Sequence, residues 1–79
     1  MNLKKTAYRL QTALIRRGRL IRINQYQTYS EKTGRMVTKI VCCEKRMTDG
    51  KMKNVTVCES YHMSDVVKAL SALLDGGDG

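Results

Sequence analysis

Hydrophobic residues near the start of the chain recur at the spacing of an amphipathic helix. Intervals of four, three and four residues place these on one face: Leu3, Ala7, Leu10 and Leu14. Asn2 can cap the first turn and Gly18 can follow the last, so the pattern predicts a helix over about residues 3–17. The opposite face is polar and basic: Lys5, Arg9, Thr12 and Arg16.

Three segments rich in β-branched and aromatic residues follow, and glycine-containing turns separate them. They cover residues 19–29, 36–46 and 52–60. The turn at 31–34 resembles a type I turn closed by a glycine bulge, and the turn at 48–50 also ends in glycine. The sequence therefore predicts a three-stranded antiparallel meander.

Three-residue loops at both turns would fix the register of this sheet. Ile23 would then pair with Cys43, and Cys43 with Val55. One face of the sheet would be apolar and odd-numbered: Ile21, Ile23, Val37, Val41, Cys43, Val55 and Val57. The open face would hold Arg22, Asn24, Tyr26, Thr28, Thr38, Ile40, Cys42, Thr56 and Cys58.

The last element is predicted to be a second amphipathic helix. Ser64 can cap it, Asp65 suits its positive N-terminal end, and Gly76 can end it. Its apolar stripe is broad: Val66, Val67, Leu70, Leu73 and Leu74. We therefore expect an α+β fold, an α-β-β-β-α two-layer sandwich with both helices on one sheet face. Residues 1–75 would form one domain, and 76–79 a flexible glycine-rich tail.

This order of elements resembles that of double-stranded RNA-binding domains, over nearly the whole chain. That family places a lysine cluster at the start of its second helix, where it grips phosphates. The corresponding residues 60–68 contain a single lysine, Lys68, and the acidic Asp65. The resemblance is one of topology, and it transfers no residue role to this chain.

Length and composition narrow the class of protein. A chain of 79 residues has room for one small domain. It has no apolar run near the ~18 residues of a membrane span and no signal-peptide pattern, so we expect a cytoplasmic protein without membrane contact. The three cysteines are an odd number, which excludes a complete disulfide framework.

Catalytic and metal-binding patterns are not found. His62 and Cys58 lack a third group to orient the imidazole, and the adjacent Cys42 and Cys43 would point to opposite faces of a strand. The carboxylates are scattered, and the glycines form no phosphate-binding loop. We expect neither enzymatic activity nor a metal or other cofactor.

Charge is the most informative feature of the composition. The formal net charge is +8, and residues 1–53 hold fourteen of the fifteen basic residues but only three of the seven acidic ones. An antiparallel meander brings distant cations to one end of the sheet, where Lys45 would face Lys53. With the outer face of the first helix, the candidate nucleic-acid-binding residues are Lys5, Arg9, Arg16, Arg17, Arg19, Arg22, Lys45, Arg46, Lys51 and Lys53.

Two functions fit this arrangement. One is a module that binds DNA or RNA through phosphates, with low sequence specificity. The alternative is an interaction module, an adaptor or inhibitor of the kind found on phages and mobile elements. It would dock on an acidic protein surface or form a homodimer through the open sheet face, with these contact residues: Asn24, Tyr26, Thr28, Ile40 and Thr56. A solvated rim that only maintains solubility is the non-functional interpretation of the same charges.

Overall fold

The computed structural model describes residues 2–76 and contains two helices and one three-stranded sheet. Along the chain these are α1 (Leu3–Arg16), β1 (Leu20–Ser30), β2 (Arg35–Thr48), β3 (Lys51–Ser60) and α2 (Met63–Leu74). The strands form an antiparallel sheet in the order β1-β2-β3. The α+β meander predicted from the sequence is confirmed. Residues 77–79 of the predicted tail lie outside the described residues.

Helix α1 begins and ends where its cap residues predict. The Asn2 side chain accepts a hydrogen bond from the backbone N–H of Lys5 at 3.1 Å, which satisfies a donor that the first turn leaves free. Gly18 adopts a φ of +85°, and its N–H donates to the Ile15 carbonyl at 2.9 Å. A left-handed residue at this position ends the helix and directs the chain into β1.

Helix α2 begins earlier than predicted, and Ser64 is not its cap. The N-cap position belongs to His62, whose side chain makes no capping bond. Ser60 instead organises this end of the helix. Its Oγ accepts the His62 N–H at 3.0 Å and donates to an Asp65 carboxylate oxygen at 2.6 Å. Asp65 in the first turn still complements the positive end of the helix dipole, as predicted.

Both turns differ in length from the predicted three residues. Four residues join β1 to β2, because Ser30 pairs with Arg35 and its carbonyl accepts the Gly34 N–H at 2.8 Å. Two residues join β2 to β3, because Thr48 pairs with Lys51. Asp49 and Gly50 have φ values of +51° and +76°, the positive pair that a type I′ turn requires.

These turn lengths shift each pairing of β2 by one residue, so its faces are the reverse of those predicted. Ile23 pairs with Cys42 rather than Cys43, and Glu44 with Val55. Because side chains alternate, the shift moves residues of β2 to the opposite face. The helix-facing side holds Thr38, Ile40, Cys42 and Glu44, and the open face holds Val37, Val41, Cys43 and Lys45.

The outer strands keep their predicted sides up to a bulge in β3. Cys42 pairs with Cys58 and Cys43 with Thr56, so Val57 is an extra residue opposite β2. Val57 and Cys58 both pack against the core. Cys58 therefore does not lie on the open face where the sequence placed it.

The core lies between the sheet and the two helices. Helix α2 packs on β2, β3 and α1, and α1 packs on α2 and β1. The cluster of buried residues consists of Ala7, Leu14, Ile21, Ile40, Cys42, Val66, Leu70 and Leu73. The molecule is flat, with extents of 42 × 33 × 16 Å, and one sheet face carries no helix. Within residues 2–76, neither helix is long and apolar enough to cross a membrane.

The register predicts that substitutions at two adjacent cysteines lower the free energy of unfolding by unequal amounts. Cys42→Ser places a hydroxyl in the core, where Cys42 is fully buried, and should lower the free energy of unfolding by about 1–3 kcal/mol. Cys43→Ser changes a half-buried residue on the open face and should stay within about 0.5 kcal/mol of the parent chain. Urea denaturation of both variants measures the difference, and the reverse order of stability would contradict this register.

Candidate nucleic-acid interface

A buried carboxylate organises the basic end of the sheet. Glu44 is 4% exposed and faces the helix layer. Arg19 contacts it with two nitrogens, Nε to Oε2 at 2.9 Å and Nη2 to Oε1 at 3.0 Å, and Arg46 adds Nε to Oε1 at 2.8 Å. Two guanidinium groups thus compensate one desolvated carboxylate.

The charge state of Glu44 follows from these contacts. Its pKa lies below the usual value for a carboxyl group, chiefly because of the hydrogen bond from Arg19. Burial opposes this shift, and the hydrogen bond and charge of Arg46 add to it. No buried side-chain nitrogen or oxygen in the described residues lacks a hydrogen-bond partner. The clasp of Arg19, Glu44 and Arg46 is therefore a fully satisfied polar unit next to the core.

The clasp changes the role of two predicted phosphate contacts. Arg19 and Arg46 direct guanidinium nitrogens at Glu44, so part of their charge is compensated inside the protein. Lys53 pairs directly across from Arg46, whereas Lys45 pairs with Asn54. The predicted Lys45–Lys53 pair is therefore wrong, because the two-residue turn shifts the register. An Arg46–Lys53 like-charge pair occurs in its place.

Arg17 contacts the other helix. Its Nη1 donates to the carbonyl of Leu74 at 2.6 Å, at the C-terminal end of α2. A cation at this end satisfies a free carbonyl and complements the negative end of the helix dipole. Arg17 thereby joins the C-terminal ends of α1 and α2.

The outward face of α1 presents the stripe that the sequence predicted. A shallow groove of about 510 Å³ runs along it, lined by Lys5, Tyr8, Arg9, Thr12, Ala13 and Arg16. Helix α1 contains no acidic residue. Within residues 2–76, Lys5, Arg9 and Arg16 take part in no ion pair, and all three are exposed. We call these three cations the α1 stripe.

The remaining predicted cations lie elsewhere. Arg22 and Lys45 are exposed on the open sheet face, and Lys51 lies beside the β2–β3 turn. The predicted single cluster is thus divided among the α1 stripe, the open face and the clasp with its neighbour Lys53. The division arises because consecutive residues of β2 point to opposite sides of the sheet.

The predicted partner face needs one correction. Asn24, Tyr26, Thr28 and Thr56 do lie on the open face. Ile40 does not, because it is 4% exposed and belongs to the core cluster under the helices. Val41 takes its place on the open face, between Asn24 and Glu59.

Two important residues were missed at the sequence level. Glu44 is not among the predicted site residues, although its alternation with Ile40 and Cys42 along β2 could have indicated a buried position. Tyr61 was not assigned to any surface. The bulge at Val57 changes the alternation of β3 and brings Tyr61 next to Lys39, which no local pattern in the sequence indicates.

Cys42 and Cys58 lie in an environment that suppresses the reactivity of their thiols. Burial raises the pKa of Cys42 to about 12, and burial followed by the charge of Asp65 raises that of Cys58. Thiolates are the nucleophilic and metal-binding form of cysteine. Among residues 2–76, no three His, Cys, Asp or Glu side chains are grouped as a metal site requires.

Comparison of the chain with protein-family models, with curated proteins and with solved structures finds no match.

The clasp predicts a pH-dependent part of the stability. Glu44→Gln keeps the shape of the side chain but removes its charge, and should lower the free energy of unfolding by about 2 kcal/mol at pH 7. Because the pKa of Glu44 is lowered in the folded state, its contribution is complete above the ordinary value near 4.5. It is lost as the pH falls through the lower folded-state value.

Urea denaturation between pH 7 and pH 3 tests this. The difference in free energy of unfolding between the parent chain and Glu44→Gln should become smaller on acidification. Glu59→Gln is the matched control, since Glu59 pairs with Lys39 on the surface. Its substitution should lower the free energy of unfolding much less than Glu44→Gln does. A gap that stays constant with pH would exclude ionised Glu44 as its source.

Proposed function

We propose that this protein is a small nucleic-acid-binding module that contacts phosphates through the α1 stripe, with low sequence specificity. The observation that carries the proposal is the stripe itself: three exposed cations without an ion pair in residues 2–76, on a helix that has no acid. A solvated rim would equally be exposed. A continuous row of one sign along a helix groove, however, favours a polyanion as its ligand.

The chemistry of the stripe suits a phosphate backbone. Lys5, Arg9 and Arg16 recur at intervals of four and seven residues, so they stay on one side of the helix over three turns. Each cation that neutralises a phosphate releases a condensed counterion, which makes binding strong at low salt and independent of sequence. The Tyr8 hydroxyl, which lines the same groove, can add a neutral hydrogen bond to a phosphate oxygen.

Three apolar side chains favour a second candidate, docking of an acidic protein. Leu20, Met47 and Met52 lie on the open face at the β2–β3 turn end and are 44%, 66% and 51% exposed. Exposed methionine and leucine beside Lys45 are typical of adaptable protein contacts. The double variant Met47→Gln, Met52→Gln should weaken the binding of such a protein partner and leave nucleic-acid binding unchanged.

Neutralising the α1 stripe tests the main proposal. The triple variant Lys5→Gln, Arg9→Gln, Arg16→Gln should lose most of its affinity for a mixed-sequence DNA duplex, because three phosphate contacts disappear. The slope of log K against log salt should become less steep by about 3. Fluorescence anisotropy across a salt series measures both quantities.

The control removes the same charge from other surfaces. Lys32→Gln, Arg35→Gln, Lys68→Gln takes away three exposed cations outside α1. If both triple variants lose affinity equally, the stripe is not a site and only the net charge attracts the duplex. Unchanged circular dichroism confirms that both variants are folded.

A further inference from the structure

Two exposed tyrosines flank a lysine across the open sheet face. Tyr26 on β1 pairs directly with Lys39 on β2. Ile40 pairs with Ser60, the last residue of β3, and Tyr61 follows at the bend after the strand, near the Lys39 ammonium. Tyr26 is 50% exposed and Tyr61 54%.

Lys39 is held between them by an ion pair. Its Nζ contacts a carboxylate oxygen of Glu59. The pKa of Lys39 is raised by that hydrogen bond and charge first, and further by Tyr61 and Tyr26, which places both phenols near the ammonium. Glu59 is the only carboxylate on a strand of the open face, and Lys39 neutralises it. The strands of the open face therefore present no unpaired carboxylate that would repel a negatively charged ligand.

A depression of about 420 Å³ lies at the basic end of the sheet. Its lining includes Arg22, Asn24, Lys45 and Asn54 of the sheet and Gln11 and Ile15 of α1. From Lys39 to Lys45 the central strand rises about 20 Å, at about 3.3 Å per residue. Aromatic side chains therefore lie at one end of the open face, and amides and cations at the other.

We propose that the open sheet face is a binding site for single-stranded nucleic acid, in which unpaired bases stack on Tyr26 and Tyr61 and phosphates approach Arg22 and Lys45. Aromatic rings on a sheet with a basic track beside them are the elements that single-strand binding requires. A second copy of this chain fits less well, because the strands of its open face would offer Arg22 and Lys45 no carboxylate except Glu59, which Lys39 already pairs. The inference extends the proposed nucleic-acid binding to a surface separate from the α1 stripe.

Substitution of the tyrosines tests stacking directly. Tyr26→Leu with Tyr61→Leu should weaken binding of a fluorescent oligothymidine about fivefold to a hundredfold. Tyr26→Phe with Tyr61→Phe should bind nearly as the parent, because phenylalanine keeps the stacking ring. Tyr29→Leu is the matched control, since Tyr29 is 61% exposed on the same strand but on the opposite side of the sheet. Parent-like affinity in the leucine variant would overturn the proposal.

Tyrosine emission gives a readout that does not depend on the leucine variants folding. The chain has four tyrosines and no tryptophan, so tyrosine dominates its intrinsic fluorescence. Stacked bases should quench that emission in the parent, and the Phe double variant should bind with much less quenching. Equal fractional quenching in both proteins would exclude stacking at these two positions.

Two further outcomes separate this site from other interpretations. If the α1 stripe variant loses duplex binding but keeps oligothymidine binding, the two surfaces act independently, as we propose. If both nucleic acids bind only through the stripe, the sheet site is wrong and the proposed function stands. Concentration-dependent dimerisation in sedimentation that the leucine variant abolishes would assign the face to a second copy and overturn the single-strand site.

Discussion

Every surface of this protein depends on the side of the sheet toward which each residue of β2 points. β2 is the central strand, so one of its faces must be covered by the helices and the other is left open. The observed register places Ile40 and Cys42 under the helices and Lys39 and Lys45 on the open face. A slip by one residue would exchange these two sets, exposing the core residues and burying lysines without partners.

The same constraint explains how a chain with a net charge of +8 distributes its cations. Glu44 lies on the helix-facing side of β2 and takes Arg19 and Arg46 into the structure, while Arg17 closes the end of α2. These arginines stabilise the fold where the layers meet. The other cations lie on α1, on the open face, at the turns and on α2, which are different sides of a thin molecule. Charge that is concentrated in the first 53 residues of the chain is therefore spread over several surfaces of the fold.

The sequence predicted local structure well and long-range pairing less well. Helix periodicity and the caps at Asn2 and Gly18 defined α1 almost to the residue. The outer strands were assigned to the correct sides because the two turn errors, one residue too short and one too long, cancel across the sheet. The residues of the central strand were assigned to the wrong faces of the sheet. The reason is that a glycine at positions such as Gly34 and Gly50 is compatible with several loop lengths. The clasp and the Tyr61 position depend on that register, and neither could be derived from local pattern alone.

The extra residue in β3 reverses the alternation of side chains between the two sheet faces. Before Val57, odd-numbered residues of β3 face the helices; after it, even-numbered residues do. Ser60 can therefore reach Asp65 at the start of α2, while its neighbour Glu59 faces outward and pairs with Lys39. The length of this strand, more than the identity of its residues, couples the start of α2 to the composition of the exposed sheet. An insertion or deletion near this point would change the outer surface even if every flanking residue were retained.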